Sequence, residues 1–180
     1  MKTVLEIGSG LGLIAILLAK MGVGKILATD GDQHIIQRLK SNIEMNFEGD
    51  VEMKRRIECI SLEWGEECLM MTQDGGEIGV EKLDLIVGAD ILYLPSLYPK
   101  LMESISFLLE TCKNQVNSYP KFLLAIQERY PVEETTFRNN LVEKFHFQQI
   151  LISETYFKEE GCNQDDDSKK ILIYLYQYEC

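Results

Sequence analysis

No apolar run in the 180 residues reaches the ~20 that a membrane-spanning helix needs. The nearest, residues 3–19, is broken by Glu6, Gly8, Gly10 and Gly12. It also lacks the small-residue cleavage site of a secretory signal, so neither a spanning segment nor a leader is expected. Cationic residues are in deficit, 18 Lys and Arg against 29 Asp and Glu, for a net charge of −11. That balance argues against DNA or RNA as a partner, because such binding rests on neutralising phosphates. It leaves two readings open, attraction of a basic partner surface and plain solubility. There are two histidines, His34 and His146, and neither has a nucleophile or ligand set near it in the sequence. The five cysteines, at 59, 68, 112, 162 and 180, form no C-x-x-C and no pairing with histidine. No metal site and no cysteine nucleophile are therefore expected. The odd, widely spaced set points to a reducing compartment, the cytoplasm or the cytoplasm and nucleus.

What is present is concentrated near the N-terminus. Val4-Leu5-Glu6-Ile7 runs into Gly8-Ser9-Gly10-Leu11-Gly12, and an apolar helical run follows at once. This reads as a buried strand, a tight turn and a helix start. Glycines free such a turn of Cβ atoms, and the new helix offers N–H groups to a negative group. A dinucleotide fingerprint has the spacing G-x-G-x-x-G. Here the third glycine comes one residue early and position 13 is leucine. The pattern Glu-x-Gly-x-Gly-x-Gly resembles motif I of the class I, seven-strand methyltransferases, in which this loop wraps the methionine end of S-adenosylmethionine. The alternative is a turn whose glycines serve only close strand–helix packing.

Along the chain, residues 2–8 read as a strand and 11–21 as a helix ended by Gly22 and Gly24. A second strand covers 25–29. A helix over about 32–46 has Ile35, Ile36, Leu39, Ile43 and Met45 as candidate core positions. A third strand covers 57–62. Residues 66–82, with Asp74-Gly75-Gly76, predict a short helix or a loop. A fourth strand, 83–88, is apolar apart from Asp84, as a buried parallel strand should be. Pro95 and Pro99 bracket the entry to a helix over 96–112; a strand at 122–126 and a helix at 133–145 follow. Strands at 147–155 and 171–177 are joined by a polar linker carrying Asp165-Asp166-Asp167. The alternation predicts an α/β, Rossmann-like, doubly wound and mostly parallel sheet with helices on both faces. The final strand pair, joined without a helix, makes one strand antiparallel. The resemblance implies the strand order 3-2-1-4-5-7-6.

Ligands of such sheets bind beyond the carboxyl ends of the strands, where the strand order reverses. Those ends deliver Gly8 to Gly12, Asp30, Glu63-Trp64, Ala89-Asp90 and Glu128. Asp30, 22 residues after Gly8, can accept hydrogen bonds from both hydroxyls of a ribose, with Gly31 and Asp32 beside it. The alternative for an acid there is a helix N-cap, a role Asp32 fits better. Trp64, the single tryptophan, can stack on an adenine face or pack in the core. Asp90-Ile91-Leu92-Tyr93 follows the fourth strand.

This last segment resembles the Asp-x-x-Tyr hallmark of the family 16 methyltransferases, which mostly methylate protein lysines. Leu62-Glu63-Trp64-Gly65 resembles the same family's adenine-side segment, and Pro95 with Leu97-Tyr98-Pro99 resembles its acceptor side. The resemblance spans residues 3–130, and the expected topology extends it to the C-terminus. It implies S-adenosylmethionine as cofactor and a lysine side chain of a protein as acceptor. Glu6, Gly8, Ser9, Gly10, Gly12, Asp30, Gly31, Asp32, Trp64 and Ala89 are the implied cofactor residues, and Asp90 and Tyr93 the acceptor-side pair. The chemistry is an in-line displacement, in which alignment alone can lower the barrier by about 7–11 kcal/mol. Asp90 would orient the neutral amine rather than act as a strong base, since a carboxylate also stabilises the ammonium. Tyr93 would line the acceptor channel or pack under the next helix. The family carries a segment ahead of motif I that helps close the cofactor pocket, whereas Met1 here stands directly before the first strand. Residues 1–180 are therefore expected to be one methyltransferase domain without that extension. A catalytically silent binding module, a small-molecule methyltransferase and a nicotinamide-dependent oxidoreductase are the competing readings.

Overall fold

A computed structural model describes residues 2–65, 83–116, 119–158 and 168–178. The expected loop at 66–82 and the Asp165–Asp167 run lie outside these. Seven strands form one sheet in the order β3-β2-β1-β4-β5-β7-β6, as expected. They are β1 (Thr3–Ile7), β2 (Lys25–Asp30), β3 (Ile57–Ser61), β4 (Leu85–Ala89), β5 (Lys121–Gln127), β6 (Phe147–Lys158) and β7 (Ser168–Tyr178). The first five run parallel. β7 is the strand that reverses, pairing antiparallel with both β5 and β6.

The helices are α1 (Leu13–Lys20), α2 (Gln33–Asn46), α3 (Val51–Arg55), α4 (Tyr98–Val116) and α5 (Pro131–Phe145). Two apolar clusters flank the sheet. One joins Ala15, Ile16 and Ala19 of α1 to Ile36, Leu39 and Ile43 of α2 through Ile26 and Ala28 of β2. The other joins Leu101, Ile105 and Leu108 of α4 to Phe137 and Leu141 of α5 through Leu5, Leu27, Ile86 and Phe122. In β2, Leu27 and its neighbours Ile26 and Ala28 go to opposite faces, the alternation that a doubly covered strand requires. The aromatic half of the second cluster closes around Phe145, Phe147, Phe122 and Tyr176, the last two stacked at 5.8 Å.

Local signals explain most boundaries. Gly22, at φ 87°, follows α1 and lets the chain leave the helix. Asp32 caps α2 by accepting the His34 N–H at 2.7 Å, which settles the choice of cap between Asp30 and Asp32. Pro95 opens a 3-10 turn and Pro99 sits in the first turn of α4, where a missing N–H costs nothing. Asp84, the one acid in the fourth apolar run, accepts the Thr3 N–H at 2.8 Å and ties β4 to β1. Two expectations need correction. Met45 is 69% exposed, because α2 buries only the stripe of Ile36, Leu39 and Ile43. The short α3, capped by Asp50 through the Met53 N–H, was not expected, since five residues show no apolar period. Among the described residues no helix is long and apolar enough to cross a membrane.

Candidate functional site

The order of strands reverses between β1 and β4, and the turn after β1 stands at that point. Gly8, Gly10 and Gly12 all have positive φ, 68°, 53° and 88°. Two of them are also fixed by crowding. A Cβ on Gly8 would meet Ile91 Cγ2 at 3.0 Å, and one on Gly12 would run into the Leu39 side chain. Gly10 differs, since a Cβ there would meet nothing within 4 Å. Packing thus explains Gly12, while Gly10 borders open space. The Ser9 N–H donates to Thr29 O at 2.7 Å and the Gly10 N–H to Asp30 Oδ2 at 3.0 Å, which fastens the turn to the end of β2.

Glu6 lies beneath this turn, 2% exposed, with Oε2 lacking any hydrogen-bond partner. Burial pushes its carboxyl up to about 7; bonds from Ser9 and the Ala15 backbone pull it down and the Asp30 charge adds to the rise. Asp30 also accepts the Asp32 N–H on Oδ1 at 3.0 Å, so each of its oxygens holds one backbone N–H. A carboxylate has about four lone-pair sites, which leaves acceptor capacity facing outward.

Trp64 comes to the same place from β3. Its ring edge would lie 3.6 Å from a Cβ on Gly8, and the turn behind it is pinned by the Gly65 N–H donating to Ser104 Oγ at 3.0 Å. Trp64 also packs partly against the core, so the two readings of this residue are compatible.

The segment after β4 explains its own spacing. Ile91 and Leu92 are 3% and 1% exposed and insert into the core, which leaves Asp90 and Tyr93 outside. Tyr98 locks the segment from below by donating to Leu92 O at 2.8 Å. Asp90 itself sits at φ 56°, a conformation unusual for any residue with a side chain. Its N–H donates to Ala125 O at 2.8 Å.

Sequence reasoning missed the partner of Asp90. Arg129, just beyond β5, grips it with both ends of the guanidinium, Nη1 to Oδ1 at 2.5 Å and Nη2 to Oδ2 at 3.0 Å. Those nitrogens also reach Gln127 O at 3.3 Å and Gln127 Oε1 at 3.0 Å. The fully buried Glu134 of α5 fixes the backbone here, its Oε1 accepting the N–H groups of Arg129 and Tyr130 at 2.9 and 2.8 Å. The i to i+5 spacing from Arg129 to Glu134 is a capping signal that a closer reading of the α5 start could have caught. Glu128 does not join the expected gathering. Its carboxylate turns to Lys170 on β7 at 3.8 Å, because alternation along the strand puts Gln127 and Arg129 on the other side.

Among the described residues these groups line a cleft of about 690 Å³. Gly8, Gly10, Asp30, Gly31, Asp32, Trp64, Asp90 and Tyr93 border it, together with Ile35, Leu62, Glu63, Ile91, Leu97 and Lys100. Glu6, Ser9, Gly12 and Ala89 do not border it. Its charged lining is four carboxylates, Asp30, Asp32, Glu63 and Asp90, against the ammonium of Lys100. Such a surface favours a cationic guest and disfavours the pyrophosphate of a dinucleotide. The Cys59 thiol, pushed up to about 11 mainly by burial, offers no thiolate nucleophile at neutral pH.

The protein-lysine N-methyltransferase EFM3 of Chaetomium thermophilum is 30% identical over 139 residues, which cover 71% of this chain and 40% of that protein. The protein N-lysine methyltransferase METTL21A of Danio rerio is 29% identical over 140 residues, 74% of this chain and 59% of the relative. The chain thus spans between two fifths and three fifths of the length of these relatives. In fold it is similar to the methyltransferase domain of bacterial CtHen1, with a TM-score of 0.65 at 15% identity, over 98% of this chain and 90% of that one. A precorrin-6y C5,15-methyltransferase from Geobacter metallireducens gives 0.61 at 12% identity, over 98% and 80%. Residues 1–144 match the profile of a family described as lysine methyltransferase, and the chain belongs to that family.

Proposed function

We propose that this chain is an S-adenosylmethionine-dependent methyltransferase whose acceptor is a lysine ε-amine of a protein. One observation carries the reading: the glycine turn, Asp30, Trp64 and the Asp90–Tyr93 pair border one acidic cleft at the reversal of strand order. S-adenosylmethionine, when bound, supplies a methyl group activated by its sulfonium. The open space at Gly10 and the excess of carboxylates fit a cationic nucleoside. Gly8 and Gly10, backed by Ser9, Gly12 and the buried Glu6, would hold its amino-acid end. Asp30, flanked by Gly31 and Asp32, would accept its ribose hydroxyls. Trp64 would cover its base, with Ala89 closing the edge at β4.

The acceptor side falls to Asp90 and Tyr93. Asp90 would accept N–H bonds from the incoming amine, and Tyr93, 49% exposed, would form the channel wall. The same proposal takes residues 1–180 as one such domain, acting on a protein in the cytoplasm or nucleus.

Calorimetry with S-adenosylmethionine should show saturable binding; its absence would reject the cofactor. Incubating extract with radiolabelled methyl donor should label a protein band on lysine, identified by mass spectrometry. Asp90→Asn should slow transfer by about 10-fold or more, a typical effect of losing a positioned polar group, while changing cofactor affinity little. Equal loss of both would contradict an acceptor-side role.

A further inference from the structure

We infer that Arg129 is a positioning residue for the methyl acceptor: its guanidinium neutralises Asp90, so that the site holds a lysine side chain as amine rather than as ammonium. This rests on the function proposed above, and it resolves a conflict within it. A lone carboxylate beside a lysine favours the charged form, which has no lone pair with which to attack. The structure removes that penalty without removing the acceptor. Arg129 occupies one lone pair on each Asp90 oxygen, through its bonds at 2.5 and 3.0 Å. Roughly two of the four acceptor sites stay available for N–H donors.

The grip is built rather than incidental. Both terminal nitrogens of Arg129 are tied a second time, to Gln127. The Arg129 backbone is held by a carboxylate with no exposure to solvent, that of Glu134. Asp90 reaches the pair in a left-handed backbone conformation, φ 56°, secured by its N–H bond to Ala125. Bidentate pairs of this kind fix orientation as well as charge.

Other charges act on the pair from the elements around it. Asp90 first, then Glu134 and Tyr130, hold the guanidinium in its charged form despite partial desolvation. Burial, and after it the charges of Glu134 and Glu133, keep the Tyr98 phenol beneath the segment un-ionised, its pKa pushed up to about 12. Tyr93, Lys100, Asp30, Asp32 and Glu63 border the same cleft. These stay the same in an Arg129 variant, so a comparison of variants isolates the one charge.

The test uses n-butylamine, a lysine side-chain mimic, titrated into the full chain at a series of pH values and followed by the Asp90 amide NMR signal. In Arg129→Gln, butylammonium should bind about 10-fold more tightly at pH 7 than in the wild type, the effect of one unit of opposite-charge stabilisation. Arg129→Lys, which keeps the charge, should bind it as the wild type does. Methyl transfer by Arg129→Gln should show its acid limb displaced upward by about one pH unit and recover at high pH. A gain of affinity cannot come from a damaged fold, and unchanged or weaker butylammonium binding in Arg129→Gln would overturn the inference. So would a loss of transfer that is uniform across pH. Absent S-adenosylmethionine binding by the wild type would instead reject the methyltransferase reading, and the amine titration distinguishes the two failures.

Discussion

At the scale of single residues, the site is made of side chains that each serve the fold and the cleft together. Asp30 is the clearest case. Its oxygens hold the Gly10 and Asp32 N–H groups at 3.0 Å, so the same carboxylate that faces the cleft also shapes the glycine turn. Asp30→Ala removes a charged acceptor, and hydrogen bonds to charged groups contribute about 1.5–3 kcal/mol each. Cofactor affinity measured by calorimetry should fall about 10- to 100-fold. An unchanged affinity would remove Asp30 from the ribose role.

At the scale of elements, the site depends on how strand ends and helix starts are tied. Gly12 begins α1 at φ 88°, against the Leu39 side chain of α2. Gly12→Ala combines a left-handed strain with a clash, and should cost about 1–3 kcal/mol of unfolding free energy, read by urea denaturation. At the other end of the cleft, Glu134 serves two backbone N–H groups ahead of α5. Glu134→Ala leaves them without their acceptor and opens a void, for a loss of about 2–4 kcal/mol; Glu134→Gln keeps one acceptor oxygen and should lose about half of that. Because Arg129 is seated by the same bonds, Glu134→Ala should also carry part of the Arg129→Gln phenotype in the amine titration.

At the scale of the molecule, one buried acid couples the fold to pH. Glu6 sits at about 7 in the folded chain against an ordinary 4.5, chiefly through burial. A carboxyl raised in this way binds its proton more tightly when folded. It therefore stabilises the fold relative to an ionised Glu6 at low pH, and that advantage drains away as pH rises from about 4.5 through 7. At 1.36 kcal/mol per unit, the swing is about 3 kcal/mol. Glu6→Gln, neutral at every pH, should lose this dependence. The stability difference between variant and wild type should grow by about that amount between pH 4.5 and 7.5 in urea titrations. A flat difference would mean that Glu6 is solvated in solution. The net charge of −11 adds self-repulsion that both proteins share, so the comparison cancels it.

The alternation of strands and helices and the glycine turn were legible in the sequence, because each rests on local periodicity, on turn chemistry or on an apolar run bounded by breakers; the strand order came only from the family resemblance. So were the groups Gly8, Gly10, Asp30, Trp64, Asp90 and Tyr93, since a parallel α/β sheet sends every strand end to one edge. The sequence alone determined at which edge the cleft would lie. Only the tertiary structure decided how those groups are satisfied. Glu128 and Arg129 are neighbours in the chain, yet one pairs with Lys170 and the other with Asp90, 39 residues back. That division follows from strand alternation and from the seat Glu134 provides, and pairings between distant strand ends leave no periodic trace in a one-dimensional pattern.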